Sequence, residues 1–504
     1  MTTGNTLTPF IDYDDYYAAV GTAIGSGETI LVSGWALDIE TPVGPTPTQQ
    51  KIGELLAHVG AAGGRVRVLL SGHQGNPNAD SAAWINKQKG CAAILDDRLR
   101  AAGCFHQKVV AISSGGGVVA YVGGMDFGRD RLRHKDPDHP EILVPPWHDV
   151  QVKLTGAGAA DIYATLAHRW ESHRANKTDR LPHVPVSGGA RRGPGCAAQV
   201  VRTYGNPRTG IPLTVKRPEN FTSTVGPGAQ RLDAANEFAF APTGESAIHD
   251  LLVQGIRSAR ETIYVEDQYF IASAAIGGDQ ELVRALAETI AKPTFRHMVV
   301  LTTGVGTVQK ELFQVNQRRR DLVRRIVGSH RDRFSIWAYK GGQDRCSWLH
   351  SKMWIFDDTM AVIGSANFNR RGLSHDGEIA VGVVDLADPT RGWVHGLRKR
   401  LWLKHLTTPS RPVSDADVAD FSAGRALWVN TKDTLLEPMD TDVGDPNQPD
   451  RLLVCSEPGP SPIDPTTSMA ALFYYLACQS DGIIGKQFRS YDNQWNLLLD
   501  PDGT

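Results

Sequence analysis

Two stretches, FHQKVVAIS at Phe105–Ser113 and LHSKMWIFDD at Leu349–Asp358, share an H-x-K pattern followed by apolar residues. Residues two apart on a strand project from the same face, so each His lies beside its Lys. Such a pair is a poor structural choice because like charges repel, but it suits a phosphate, which one group attacks or protonates while the other holds anionic oxygen. The candidate catalytic pairs are His106 with Lys108 and His350 with Lys352.

The two stretches belong to a longer internal repeat. A segment of helical spacing leads into ETILVSGW at Glu28–Trp35, and another leads into ETIYVEDQYF at Glu261–Phe270. Further matched pairs follow in the same order: RVRVLLSG with RHMVVLTTG, VVAYVGGMDF with MAVIGSANFN, and HDVQVKLTG with GEIAVGVVD. Short β-branched runs that alternate with helical segments predict α/β lobes whose sheets are covered by helices on both faces.

The repeat predicts four parts of the chain. The first lobe spans residues 1–187 and the second spans 246–409. Residues 188–245 are rich in Gly, Pro and Thr, which indicates an interlobe connection. Residues 410–504 break the pattern and contain an apolar helix candidate, MAALFYYLAC. We interpret this last part as an accessory segment packed on the lobes.

Composition narrows the function classes. Lys and Arg total 53 and Asp and Glu total 55, so the formal net charge is −2 and the excess of basic residues typical of general nucleic-acid binders is absent. The six cysteines lie far apart without C-x-x-C spacing, which favours thiols over a zinc site and leaves one or two disulfides open. The sequence also lacks a secretory signal pattern and a long apolar run. These features predict a protein that is cytoplasmic as synthesised, and export by a signal-independent route stays compatible with them.

The motifs together resemble the phospholipase D superfamily, in particular its lipid-cleaving branch. Besides both H-x-K stretches, the similar segments are YVGGMDFGRDR, PPWHDVQVKLTG, IYVEDQYFI, GSANFNRRG and SHDGEIAVGVV, and the resemblance covers residues 28–406. It implies two pseudo-symmetric lobes, each a mixed β-sheet flanked by helices, with one active site at their interface. It also implies a two-step reaction through a phosphohistidine that needs no metal and no cofactor.

The resemblance assigns roles to individual residues. The catalytic set is His106, Lys108, His350, Lys352, Asp149 and Glu378. The resemblance implies that Asp149 orients His106 and that Glu378 orients His350, since a carboxylate on the far ring nitrogen fixes the tautomer. The substrate-binding set is Ser365, Asn367, Gly123 and Gly124, all of which also suit tight turns by themselves.

The first motif departs from the family pattern at one position. The acid expected five residues after the motif lysine is present as Asp357 in the second copy, but Ser113 stands there in the first. In the family this acid is largely structural, so we expect Ser113 to replace it through a local backbone hydrogen bond. Another segment, Arg133–Asp149, mixes His and Asp, but its spacing fits no standard metal site and predicts a mobile loop beside the cleft.

The favoured function is phospholipase D-type hydrolysis of glycerophospholipids to phosphatidate and free headgroup, with transphosphatidylation when another alcohol opens the intermediate. A bacterial effector or toxin with this activity is a contextual variant. The alternatives are a cardiolipin-synthase-like phosphatidyltransferase, a nuclease of the same superfamily, and a degenerate lipid-binding scaffold. The expected partner is a phospholipid at a membrane surface, without nucleic acid, and the internal pseudo-dimer predicts a monomer.

Overall fold

The protein is described by a computed structural model. The structure describes the following residues: 1–45, 50–72, 78–99, 104–115, 117–135, 143–144, 146–176, 178–184, 196–205, 239–271, 280–303, 313–339, 348–386, 392–429 and 436–439. The apolar helix candidate in the tail and most of the proposed interlobe connection lie outside these ranges. Within them, no helix combines the length and apolar character required to cross a membrane.

The helices of the described ranges are α1 Tyr13–Gly25, α2 Ile52–Ala61, α3 Asn78–Ile85, α4 Ala157–Ser172, α5 Ala247–Ser258, α6 Gln280–Ile290, α7 Phe313–Val327, α8 Arg370–Ser374, α9 Trp393–Leu406 and α10 Phe421–Ala426.

The strands of the same ranges are β1 Thr2–Ile11, β2 Thr29–Gly34, β3 Pro42–Val43, β4 Gln50–Lys51, β5 Arg65–Ser71, β6 Cys91–Asp96, β7 Lys108–Ser114, β8 Gly117–Gly123, β9 His134–Lys135, β10 Leu143–Val144, β11 Val150–Thr155, β12 Cys196–Tyr204, β13 Glu245–Ser246, β14 Thr262–Asp267, β15 His297–Thr303, β16 Phe334–Tyr339, β17 Lys352–Phe356, β18 Met360–Gly364, β19 Glu378–Asp385 and β20 Leu436–Pro438.

The main sheet has the same strand order in its two halves. Read outward from the centre, the first half runs β1, β11, β8, β7, β2, β5, β6, and the second runs β12, β19, β18, β17, β14, β15, β16. In each half the last three strands are parallel and the inner strands are antiparallel. The fold is therefore α/β with two pseudo-symmetric lobes, each built on a mixed sheet, as the repeat predicts.

The lobes join at the centre through antiparallel pairing of β1 with β12. Strand β12 lies within residues 188–245, the range that the sequence assigns to the connection. It occupies the position in the second half that β1 occupies in the first, so the structural repeat of the second lobe begins at Cys196. Beyond residue 410, α10 and β20 are described, and β20 extends the second half by pairing with β16.

Helices cover both faces of each half, because the strands are apolar on both sides. The first half buries its outer face under α1, α2 and α3, and the second buries its outer face under α5, α6 and α7. Helices α4 and α9 pack against the inner faces and contribute to one core that is shared by the two halves. This shared core, with the β1–β12 junction, holds the two H-x-K motifs in a fixed relation.

Candidate active site

The motif histidines lie at equivalent places, two residues before strands β7 and β17, and Lys108 and Lys352 are the first residues of those strands. Two isolated parallel bridges cross between the lobes at this level. Phe105 pairs with Gly377, and His148 pairs with Leu349. Each bridge joins the segment that carries one motif histidine to the segment that precedes a carboxylate of the other lobe. The backbone thus brings both motifs to a single interface.

His106 is held by two groups of the second lobe. Its Nδ1 lies 2.9 Å from Oε1 of Glu378 and 3.1 Å from the carbonyl oxygen of Ser365. The Glu378 side chain is fully buried, whereas the imidazole retains 13% exposure. Because Nδ1 is engaged in this way, Nε2 is the ring nitrogen that is left for a substrate.

His350 is held in the same way by the first lobe. Its Nδ1 lies 2.7 Å from Oδ2 of Asp149, and the backbone of Gly124 also hydrogen-bonds the ring. Asp149 is fully buried and accepts further hydrogen bonds from the Tyr13 hydroxyl at 3.1 Å and the Val150 amide at 2.7 Å. Gly124 and Ser365 occupy matched turns, so the two histidine environments are related by the pseudo-symmetry.

The pairing of acids and histidines differs from the sequence prediction, which was wrong on this point. Asp149 contacts His350 rather than His106, and Glu378 contacts His106 rather than His350. The physical reason is the interlobe bridging, which carries the start of β11 to one motif and the start of β19 to the other. Each histidine is therefore completed by the opposite lobe.

The two motif lysines are buried and have different partners. Nζ of Lys108 donates to the carbonyl of His106 at 2.9 Å and lies 3.4 Å from Oδ2 of Asp126. Nζ of Lys352 donates to Oε1 of Gln268 at 3.0 Å and also contacts the carbonyl of His350. Burial lowers the pKa of Lys352 to about 7. Sequence reasoning missed Asp126 and Gln268, although both lie inside the quoted segments YVGGMDF and IYVEDQYF.

Burial and the lysine charges favour neutral imidazoles. Burial lowers the pKa of His106 well below its ordinary value, and the charges of Lys108 and Lys352 lower it further. The pKa of His350 is lowered well below its ordinary value by burial and by the same two lysines. Both lysines act on both rings, so the four groups form one electrostatic unit. An anionic phosphate bound there would offset these effects and favour the protonated form of a ring.

The two polar residues of the predicted substrate-binding turn, Ser365 and Asn367, have different surroundings. The hydroxyl of Ser365 donates to Oε2 of Glu378 and accepts from the Ile379 amide at 3.1 Å, so it supports the carboxylate instead of facing a phosphate. Asn367 is buried, and its Oδ1 has no hydrogen-bond partner within the described ranges. Its amide is thus the group of this turn that is left to contact a ligand.

The matching turn of the first lobe requires glycine at Gly123 and Gly124, because atoms of the neighbouring segment lie close to both. A Cβ on Gly124 would lie 2.2 Å from Oδ1 of Asp149, and a Cβ on Gly123 would lie 2.3 Å from the carbonyl oxygen of Val150. Neither space is available to a larger residue. The turn thus lets the Asp149 carboxylate lie against the backbone, and its role as a phosphate contact stays a prediction.

The second-motif acid contacts the backbone of its own lobe. Asp357 has a φ of 49°, and its carboxylate accepts from the backbone amides of Arg260, Glu261 and Thr262 at 2.7, 2.9 and 2.8 Å. It thereby fixes the entry of β14. At Ser113 the matching contact is made by the backbone, since its carbonyl accepts from the Glu28 amide at 3.0 Å. The main-chain carbonyl of residue 113, and not the serine hydroxyl, thus makes this contact, and the role expected for the Ser113 side chain stays a prediction.

Aromatic rings line the site beside both histidines. The Trp147 ring is stacked on Trp348 at 5.5 Å, lies 5.4 Å from His350, and carries the Arg131 guanidinium 3.7 Å from its centroid. Trp35 lies 6.4 Å from His106. These tryptophans are partly buried, as expected for residues of a cleft wall.

Comparisons with known proteins agree with this geometry. A family model described as phospholipase D matches residues 144–292 and 337–448, just over half of the chain. A second model, described as cardiolipin synthase, PLD-like domain, matches residues 252–388. With its two-lobed α/β fold and its paired H-x-K site, this chain belongs to the phospholipase D superfamily.

Individual relatives are distant. The chain is 23% identical to phospholipase D alpha 2 of Oryza sativa subsp. japonica, with 78% of this chain and 63% of that protein covered. It is 25% identical to phospholipase D beta 2 of Arabidopsis thaliana over 60% of this chain and 43% of that protein. The phosphatidylserine synthase of Haemophilus influenzae Rd KW20 has a similar fold, with a TM-score of 0.51 at 11% identity, covering 78% of this chain and 85% of that one. The chain thus spans less than two thirds of the length of these phospholipase D relatives.

Proposed function

We propose that this protein is a phospholipase D-type phosphodiesterase that hydrolyses glycerophospholipids to phosphatidate and free headgroup. The observation that carries the proposal is the pair of imidazoles, His106 and His350, each held at Nδ1 by a buried carboxylate. In both rings Nε2 remains available to a substrate, in a site that also contains two buried lysines. This arrangement supplies a nucleophile, a general acid and positive charge for one phosphate.

In the first step, we assign the attack on phosphorus to Nε2 of His106, following the family resemblance. The new N–P bond forms as the bond to the headgroup oxygen breaks, and Nε2–H of His350 gives its proton to that oxygen. Glu378 and Asp149 stabilise positive charge on their respective rings. Lys108 and Lys352 hold the phosphate oxygens, whose negative charge favours the protonated form of Lys352.

In the second step, His350 is neutral and acts as the base. It takes a proton from water, the water oxygen attacks phosphorus, and the N–P bond to His106 breaks. Phosphatidate leaves, and both rings return to their starting states. An alcohol in place of water would give a phosphatidyl alcohol by the same route.

The direct test is an assay of purified protein on phosphatidylcholine, phosphatidylethanolamine and single-stranded DNA, with a primary alcohol added in a parallel reaction. We expect phosphatidate from the lipids, phosphatidyl alcohol in the parallel reaction, and no DNA cleavage. The double variant His106→Asn with His350→Asn is the matched inactive control. DNA cleavage without lipid turnover would instead identify a nuclease, and absence of phosphatidyl alcohol at high alcohol would contradict an open phosphatidyl intermediate.

A second candidate is phosphatidyl transfer of the cardiolipin-synthase type, which the match of that family model to residues 252–388 favours. The chemistry differs only in the acceptor of the second step. Incubation with phosphatidylglycerol alone separates the two, because a transferase forms cardiolipin and glycerol whereas a hydrolase forms phosphatidate.

We further propose that the protein acts as a monomer on phospholipid at a membrane surface, since its two lobes complete one site. Light scattering of the active species tests this proposal.

A further inference from the structure

Directly behind the His350 side of the cleft lies a cluster of charged groups, most of them buried, that the reaction above does not use. His148 is at its centre, with Nδ1 2.8 Å from Oδ1 of Asp12 and Nε2 2.7 Å from Oε2 of Glu266. The His148 and Glu266 side chains are fully buried. Asp12 lies between β1 and α1 and Glu266 lies in β14, so this imidazole links the two lobes.

The remaining members of the cluster come from the second lobe. Glu266 also accepts from Nε2 of His405 at 2.8 Å and from the Tyr264 hydroxyl at 2.6 Å. The ammonium group of Lys404 contacts Asp12 and Nδ1 of His148. The ring of Tyr339 lies 5.3 Å from that of His148. The predicted mobile loop at Arg133–Asp149 therefore ends in two buried, tightly held residues.

Charge within the cluster favours an ion-paired His148. Burial and Lys404 lower its pKa, but Glu266 and Asp12 outweigh them and the net shift is upward. Although burial alone would raise the pKa of Glu266, the charges and hydrogen bonds of His148 and His405 hold it well below the ordinary value. A cation between two carboxylates is the arrangement in which buried charges are best compensated.

The backbone of His148 connects this cluster to the catalytic pair. Its amide donates to the carbonyl of Trp348 at 2.9 Å, and its carbonyl accepts from the amide of His350 at 2.7 Å. Adjacent residues in extended chain project to opposite sides, so His148 reaches the cluster while Asp149 reaches the ring of His350. A rotation or shift at His148 therefore changes the distance between Asp149 and His350.

Within the described ranges, the other half of the site has no matching charged cluster. Gly377 is the residue that matches His148, and a Cβ there would lie 2.4 Å from the ring of Phe105. Glu378 is instead supported by the hydroxyl of Ser365. The acids that hold the two catalytic histidines are thus supported by different groups. The charged cluster around His148 lies on the side of His350, which in the proposed reaction acts first as acid and then as base.

Three members of the cluster, His148, Glu266 and His405, could be considered as metal ligands, since one ligand atom of each lies within 4.8 Å of the others. The distances favour hydrogen bonds. Zinc bonds of about 2.0–2.1 Å at tetrahedral angles hold ligand atoms about 3.3 Å apart, whereas each imidazole nitrogen here lies 2.7 or 2.8 Å from a Glu266 oxygen. Glu266 also has a hydroxyl donor, which a metal would displace.

We propose that His148 is a positioning residue, which through its ion-paired contacts to both lobes sets Asp149 against His350 for proton transfer. This inference rests on the proposed function, because the proton transfer that it serves is the one assigned there to His350. It predicts that loss of the His148 imidazole impairs the steps that need His350 more than the attack by His106.

The test compares His148→Gln with His405→Gln. Both remove one imidazole contact to Glu266, but only the first lies on the segment that holds Asp149. We expect the two variants to lose similar thermal stability. On phospholipid, only His148→Gln should have a lower kcat, by about 10- to 100-fold, the range found when the groups that support a catalytic side chain are lost. On a nitrophenyl phosphodiester, whose leaving group needs no proton, the rate of His148→Gln should change by about threefold or less. Its pH–rate profile should also shift, while that of His405→Gln keeps the wild-type shape.

A measurement independent of turnover separates this inference from the proposed function. The Nδ1–H proton of His350 should give a downfield NMR resonance, assigned by its loss in His350→Asn. It should move in His148→Gln and stay in His405→Gln, whether or not any lipid is cleaved. If His148→Gln does not fold, Glu266→Gln, which removes the facing charge, should move the same resonance. An unmoved resonance, equal kinetic losses in both variants, or stoichiometric zinc that both variants lose would overturn the proposal.

Discussion

Replacement of Asp149 by Asn tests the crossed pairing of acids and histidines most directly. Asp149 accepts from Nδ1 of His350 at 2.7 Å, and also from the Tyr13 hydroxyl and the Val150 amide. Oδ2 of Asp149 serves both His350 and Tyr13, whereas Oδ1 accepts from Val150. An Asn that keeps its oxygen toward the Val150 amide presents N–H to His350, which favours the wrong tautomer, and the Tyr13 hydroxyl must then accept instead of donate. The substitution should therefore disable proton transfer by His350 with little change in shape.

The expected size follows from the role of the carboxylate. Where a buried carboxylate that fixes a catalytic imidazole becomes an amide, kcat falls by about 10⁴, which corresponds to about 5.5 kcal/mol of transition-state stabilisation. For Asp149→Asn we expect a loss of about 10³- to 10⁴-fold on phospholipid. Burial raises the pKa of Asp149, so a neutral amide is not costly at this place and the melting temperature should change little.

Two substrates and one control variant make the test specific. In single-turnover assays, Asp149→Asn should retain much of the first step with a nitrophenyl phosphodiester, because that leaving group needs no proton from His350. Glu378→Gln, which alters the nucleophile His106, should suppress both substrates. Equal loss on the two substrates in Asp149→Asn, or a trapped phosphoryl label on His350, would refute the assignment of roles.

Three further results are expected. Asp357→Ala should lower the free energy of unfolding by about 1–2 kcal/mol, the cost of losing a capping carboxylate, as a shift of the urea midpoint with kcat unchanged; a large loss of kcat would show a catalytic role. The pKa of Lys352 is lowered to about 7, so the side chain loses its charge as the pH rises through 7. The affinity for a phosphodiester analogue should then fall by up to about tenfold per pH unit. An equally steep fall in the Lys352→Met variant would show that the pH dependence does not come from Lys352. Activity in a detergent-dispersed assay should survive exhaustive chelation, and a loss that only calcium or zinc restores would disprove a metal-independent reaction.

Much of the fold could be predicted from the sequence because the repeat carries local signals. β14 is buried at every position, and Ile248, Leu251, Leu252 and Ile256 lie on the buried face of α5, as their spacing indicates. The role of β12 as the partner of β1 could not be predicted, because a strand that begins a repeat has no motif to match. Its Gly- and Pro-rich surroundings instead favoured a connection.

The residues that meet at the candidate site could be named from the sequence, but their contacts could not, and their roles stay a prediction. Asp149 and Glu378 each follow the motif of their own lobe, so sequence order favours pairing within a lobe, whereas the interlobe bridges reverse it. The cluster around His148 escaped prediction because Asp12, Glu266 and Lys404 are each more than a hundred residues apart and follow no spacing rule. The available signal was the position of His148 and Glu266 inside two family-like segments, WHD and IYVEDQYF.

The exchange of acids between lobes bears on how such a protein could have arisen by duplication. A single ancestral lobe would have carried a histidine and an acid that do not contact each other, so only a twofold pair of copies would have completed both pairs. Fusion into one chain then removed the requirement that both copies be identical. Each half could diverge at matched positions, as Gly124 against Ser365, Asp126 against Asn367 and His148 against Gly377 now do. Two chemically equal histidines could thereby acquire unequal duties.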